Sequence, residues 1–106
     1  MARFLILWRM NPNAPWPTDP SEALKLNEMM WAAIDSFKQE GVIEDFGNFP
    51  EPTSGYAIGK GEATDVYRRL NMFLPYMYTE VHEIISYEKG KEIVREVLAQ
   101  IAALQK

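Results

Sequence analysis

The chain contains no cysteine. Disulfides, thiolate nucleophiles, zinc–thiolate sites and cysteine-held iron–sulfur clusters are therefore excluded. Histidine is nearly absent too: His82 is the only one in 106 residues. With one His and no Cys, no metal site of ordinary pattern can be written, and no cofactor is expected. Positive charge is also scarce. The 11 Lys and Arg face 15 Asp and Glu, a formal net charge of -4. Such a balance lacks the basic footprint of a nucleic-acid binder and disfavours an anionic membrane surface. Long apolar runs are missing as well. The stretch after Met1-Ala2-Arg3 is too short to cross a bilayer and lacks the longer apolar region and cleavage site of a secretory signal. The expected location is the cytoplasm, with no membrane and no nucleic-acid partner.

What remains is ordinary globular material: 47% hydrophobic and 25% charged residues. The length suits a single domain over residues 1–106, able to bury a core without staples. Phe4 to Met10 reads as a first strand, apolar on both faces. Phe4, Ile6, Trp8 and Met10 line one side; Leu5, Leu7 and Arg9 line the other. Such a strand belongs in the middle of a sheet covered on both sides. Asn11 to Asp19 carries Pro12, Pro15 and Pro17 around Trp16, a long loop whose Trp either covers a cleft or folds back on the domain. Asp19-Pro20-Ser21-Glu22 has the form of a helix start with a capping box. Leu26, Met30, Ala33, Ile34 and Phe37 then recur at helical spacing, and Gly41 is placed to end the helix.

Val42 to Phe49 reads as a second strand, Val42, Glu44 and Phe46 opposing Ile43, Asp45 and Gly47 in direction. Tyr56 to Lys60 is a third, antiparallel to the second across a short turn. Its Gly55, Ala57 and Gly59 share a face and leave room for a side chain or a ligand. Ala63, Val66, Tyr67, Leu70, Phe73 and Leu74 mark a second helix, stopped by Pro75. Val81 to Tyr87 reads as a fourth strand. Lys89 to Lys106 is a third helix with Ile93, Val97, Leu98, Ile101 and Leu104 on its apolar side. The order β-α-β-β-α-β plus a helix predicts an α+β, ferredoxin-like four-stranded antiparallel sheet: a core over 1–88 and a C-terminal helix over 89–106. The exposed Leu5 and Leu7 need a cover, either the last helix or a second subunit, so a homodimer or higher homo-oligomer is expected.

Leu70-Asn71-Met72-Phe73-Leu74-Pro75-Tyr76-Met77-Tyr78-Thr79-Glu80-Val81 resembles the Pro-Tyr-Met stretch that joins the second helix to the fourth strand in muconolactone delta-isomerases. Asp19-Pro20 with Ala23, and Gln39-Glu40-Gly41, look similar too. The resemblance runs from Phe4 to about Glu88. It implies a dimeric α/β barrel, in which two four-stranded sheets pair face to face, and a ligand such as a small carboxylic, lactone or aromatic compound. The second strand departs from that family: Val42-Ile43-Glu44-Asp45-Phe46-Gly47 is acidic and apolar where the isomerases are rich in Trp, Arg and His.

Candidates for chemistry are few. His82 shares a strand face with Glu80, as a general base with a carboxylate neighbour or as a plain sheet-face histidine. Tyr76 is a candidate proton donor or a structural corner, and Glu44 a candidate for moving a proton or for pairing with Arg9. Arg9 and Lys60 are candidates to meet a carboxylate. Trp8, Met30 and Phe37 would form an apolar wall. Trp31, four residues after Asn27 on one helix face, is a candidate for ring contact. These residues do not form an acid–base set by spacing. Two classes are therefore carried forward: an isomerase-like enzyme or small-molecule binder, and a non-catalytic domain that acts in assembly.

Overall fold

The computed structural model describes residues 2–105. The elements run β1 (Arg3–Met10), α1 (Pro20–Gln39), β2 (Ile43–Asn48), β3 (Ser54–Lys60), α2 (Ala63–Asn71), β4 (Met77–Ile84) and α3 (Tyr87–Leu104). The four strands form one antiparallel sheet in the order β2-β3-β1-β4. The protein is thus α+β, in an arrangement compatible with a ferredoxin-like fold. The doubly apolar first strand takes a central place, as its pattern requires. Phe4 and Ile6 are 5% and 6% exposed under the helices, while Leu5 and Leu7 point to the other face and are half-buried.

Local chemistry sets the helix ends. Asp19 caps α1, its carboxylate accepting the Glu22 N–H at 3.2 Å and the Ser21 hydroxyl. These bonds hold the Asp19 carboxyl below its usual range, the Ser21 hydroxyl contributing most. The Glu22 carboxylate does not complete the expected capping box in the Asp19 direction; it pairs with Lys25 at 3.3 Å. Gly41 ends the helix at φ 77°, a left-handed conformation that favours glycine. The proline-rich loop folds back onto the domain. Asn11, 6% exposed, donates through Nδ2 to the Pro75 carbonyl at 2.8 Å and accepts the Asn13 N–H at 3.0 Å. The Asn11 carbonyl accepts Trp16 Nε1–H at 2.6 Å, and the Trp16 ring meets Tyr76 edge-on at 5.0 Å.

Strand β2 and the ends of β4 and α3 depart most from the sequence expectation. In β2 the register shifts between Ile43 and Asp45, so Glu44 is the extra residue of a β-bulge and simple alternation fails. Ile43 and Phe46, predicted on opposite sides, come to share the helix-facing side. β4 begins at Met77 rather than Val81, because β1 pairs along its whole length, Met10 with Met77 and Arg3 with Ile84. It ends before Ser86, whose hydroxyl accepts the Lys89 N–H at 3.1 Å and starts α3 two residues earlier than expected.

The packing is thin. Phe4, Ile6, Ala57 and Val66 form the buried cluster, with Phe46 and Leu70 against it. Among the described residues no large side chain is fully buried. The third helix lies outside this core altogether. None of its described residues is buried, and Ile93, Val97 and Ile101 are 41%, 44% and 45% exposed. Of the two places expected for this helix, its own domain or a second subunit, the first is not taken within the chain; Lys106, at the end of the expected helix, lies outside the described residues. The structure is 71 Å long by 27 and 24 Å, with a radius of gyration of 18.9 Å. A compact chain of this length would have about 13 Å.

The small residues of β3 decide how close the other layers come. A Cβ at Gly55 would collide with the Trp8 indole and the Gly47 carbonyl, whereas one at Gly59 would meet the tip of Ile6 at 3.3 Å and the Val42 carbonyl at 3.6 Å. Gly55→Ala should cost about 1–3 kcal/mol by overpacking, and Gly59→Ala should be close to neutral. Urea denaturation of the two variants checks this contrast; equal losses would show that the stripe acts through chain entropy and not through space.

Candidate functional site

The loosely packed layer between sheet and helices encloses a cavity of about 290 Å³. Its floor is the helix-facing side of the sheet: Ile6, Trp8 and Met10 of β1, Ala57 and Gly59 of β3, Phe46 of β2, Met77 of β4. Its roof comes from α1 through Met30, Trp31, Ile34 and Phe37, from α2 through Val66 and Leu70, and from Phe73 in the turn after α2. The room left by Gly55, Ala57 and Gly59 is thus divided. Trp8 fills the Gly55 end; Ala57 and Gly59 border open space. Trp8 lies parallel to Phe46, ring centres 5.6 Å apart and planes 7° apart, which fixes the indole in the floor.

The polar lining is sparse. Among the described residues it consists of Asn27, Asn48, Thr79 and Arg69. Asn27 donates to the Ala23 carbonyl at 2.9 Å, which ties its amide to the helix. Trp8 Nε1 is buried with no hydrogen-bond partner. Arg69 sits with its guanidinium 5.8 Å over the Phe37 ring. Among the described residues, no Asp, Glu, His or Lys belongs to the lining.

The sequence candidates divide between the two faces of the sheet. Trp8 and Trp31 line the cavity, as do Met30 and Phe37 of the expected wall. Arg9, Lys60, His82 and Glu44 do not. In the register Arg3 pairs with Lys60, Leu5 with His82 and Arg9 with Tyr78, so these side chains share the Leu5 and Leu7 face, away from the helices. His82 there lies 2.8 Å from Glu80, both exposed. Arg9 stands 5.3 Å over the Tyr78 ring. Glu44 pairs with Arg3 at 2.8 Å and not with Arg9, because the antiparallel register sets the start of β2 beside the end of β3 and so at the Arg3 end of β1. Tyr76 packs against Trp16 outside the cavity, and its carbonyl accepts the Asn11 N–H at 2.8 Å. A second, more open hollow of about 940 Å³ on the Leu7 face holds Arg9, Tyr78, Glu80 and Trp16.

Arg69 was missed by residue type alone, although a signal existed. Val66, Arg69, Leu70 and Phe73 follow the i, i+3, i+4, i+7 rule, so a cation stood on the apolar stripe of α2. Asn48 and Thr79 carried no such signal. The chain matches no family model and no curated protein.

The electrostatics of the far face generate a pH test. The Arg3 hydrogen bonds hold the Glu44 carboxyl below its ordinary value of 4.5 and raise the Arg3 guanidinium. Hydrogen bonding to Asp45 at 2.7 Å raises the Tyr56 hydroxyl. A carboxyl depressed in the folded state stabilises above its unfolded pKa, and the contribution fades as pH falls through the folded pKa. Glu44→Gln should therefore melt slightly lower than the native chain at pH 7. The gap should close as pH falls below the unfolded value of 4.5, and shrink in high salt. Thermal melts across pH would refute the pairing if the gap were constant.

Proposed function

We propose that this chain is a muconolactone isomerase-like protein that binds a small carboxylic, lactone or aromatic compound between its sheet and helices. The cavity carries this reading. Its 290 Å³ lie at the small end of ligand sites, and its lining is aromatic and aliphatic with few polar groups. Protein interiors rarely hold voids larger than a water molecule, so space of this size in so thin a core is best understood as room for a guest. The lining offers no carboxylate or imidazole. The activity proposed is therefore binding, with proton transfer by His82, Tyr76 or Glu44 not supported from where those residues lie. Thermal-shift and amide NMR screening with small aromatic acids, lactones and muconate-like compounds tests it. Hits should move the signals of α1, α2 and β3, and Met30→Trp, which fills the cavity, should abolish them. No hit, or shifts confined to the Leu7 face, would refute the reading.

A second reading, assembly, is favoured by two uncovered apolar surfaces. Leu5, Leu7, Tyr56 and Ile58 lie on the sheet face without α1 or α2, and the α3 stripe is exposed. An isolated helix of α3's length is marginal in water, and contiguous apolar surface usually marks an interface. We propose that the partner is a second copy, with sheets meeting face to face as in a dimeric α/β barrel. No described helix is long and apolar enough to cross a membrane; a cytoplasmic site of action fits this proposal. Light scattering at micromolar concentration should give at least a dimer, and Leu7→Lys should give monomer, because an unpaired charge would be buried. A clean monomer for the native chain would sink the proposal.

A further inference from the structure

We infer that the outer edge of β4 pairs with the same edge of a second copy, in one register centred on Val81, so that two four-stranded sheets become one eight-stranded sheet. This contact is separate from the cavity and from the face-to-face contact proposed above, and each can fail without the other.

The first observation is an edge left open. The sheet order makes β2 and β4 its two edges. β2 is protected: it has six residues, its register shifts between Ile43 and Asp45, and Pro50 and Pro52 follow it. β4 has none of these guards. It runs over eight residues without proline, glycine, lysine or bulge, in unbroken register with β1. Its middle six residues are exposed, Val81 and Tyr78 among them. A long regular edge with unpaired backbone groups is a template for another strand.

The second observation is which groups point outward. The Asn11 N–H donates to the Tyr76 carbonyl at 2.8 Å, one step beyond the Arg9–Tyr78 and Met10–Met77 pairs. Bonded and unbonded pairs alternate along an antiparallel ladder. Tyr78, Glu80, His82 and Ile84 therefore turn their backbone groups to β1, and Met77, Thr79, Val81 and Glu83 turn theirs outward. An added strand must bond to the latter four. When that strand is a copy of β4, side-chain parity allows three central registers. A dyad through Glu80 opposes two carboxylates, which is destabilising. A dyad through His82 opposes two imidazoles and leaves each Glu80 against Ile84. A dyad through Val81 sets Glu80 against the copy's His82 twice, and Tyr78 against the copy's Ile84 twice. Glu80 and His82 then fall in unbonded pairs, where side chains come closest. Within one chain they already meet at 2.8 Å, so the pairing gathers two carboxylates and two imidazoles alternately on one face. This complementarity fixes both the occupant, a second copy, and the register. The contact is isologous, and the bulged β2 edges stop further growth. One strand's edge is a small interface of the weak class. It should form above the micromolar concentrations at which the face-to-face contact is expected.

The test uses the full chain, whose lack of cysteine allows single ones to be placed. Val81→Cys in concentrated protein should form an intermolecular disulfide on mild oxidation, since Cα atoms of a bonded pair lie about 5.5 Å apart, within disulfide reach. Thr79→Cys and Glu83→Cys should each crosslink several-fold more slowly alone, whereas their mixture should crosslink as a heterodimer. Val81 pairs with Ile6 and shares its helix-facing side, so a face-to-face meeting of sheets does not bring two copies of it together. His82→Glu puts like charges opposite each other twice, and should weaken the edge dimer on the order of tenfold in sedimentation equilibrium. Adding Glu80→Lys should restore it. In the native chain the Thr79, Val81 and Glu83 amides should exchange more slowly as concentration rises. Equal crosslinking at the three positions, or exchange of these amides independent of concentration, would overturn the inference. An assembly that persists by light scattering while those amides stay unprotected would overturn it too, and leave the face-to-face proposal standing.

Discussion

The stripe of Gly55, Ala57 and Gly59 on β3 is the constraint on which the rest of the structure depends. A strand next to the central one would ordinarily fill its buried face with branched side chains. Here that face is nearly bare, and its neighbours respond. Trp8 lies down over Gly55, in a space that a single Cβ would occupy. Stacked on Phe46, it becomes floor instead of filler. At the Gly59 end no ring lies down: the tip of Ile6 and the Val42 carbonyl approach, and the helices span the gap without closing it. The cavity is thus what remains when a small-residue strand is flanked by aromatic side chains too large to interdigitate.

That arrangement separates the two faces of the sheet chemically. Toward the helices lie apolar rings and one cation. Toward the other side lie Arg3, Arg9, Glu44, Lys60, Glu80 and His82, around Leu5 and Leu7. The central strand enforces this, since its period of two sends each residue to one face. A proton-moving pair such as His82 and Glu80 cannot serve the cavity through the thickness of the sheet. The mixed charge around two leucines is instead the composition of a polar rim about an apolar centre.

Much of this was legible in the residues. The doubly apolar β1 announced a central strand, Asp19-Pro20 a helix start and Gly41 its end. The small β3 stripe announced free space. What pattern could not reach were features made by partners distant in sequence. The bulge at Glu44 belongs to the pairing of β2 with β3 and has no local signature, so alternation misassigned Ile43 and Phe46. β4 extends to Met77 because β1 is there to pair with it. Arg9, Lys60, His82 and Glu44 were grouped by chemistry, as residues able to hold or move charge, and the sheet separates them from the cavity by parity. Parity was readable in the case of Arg9: it follows Trp8 by one residue and so points the other way. Arg69 failed the opposite test, since its helical register was readable and its charge argued against a buried stripe.

A core built on Phe4, Ile6, Ala57, Val66 and few others leaves little margin, since native stability is a small difference between large terms. Two apolar surfaces are held in reserve, the cavity lining and the uncovered face with its projecting helix. Anything that binds the folded chain through either surface adds RT ln(1 + [L]/Kd) to its stability. A conventional domain would have spent those surfaces on internal packing and would depend little on guests or partners. Here the same side chains that fail to complete the core, Trp8 and Met30 inside and Leu5 and Leu7 outside, are the ones available to a second molecule. Recognition and stability are therefore one property of this fold: the small β3 residues that weaken the isolated chain are what give a bound molecule something to complete.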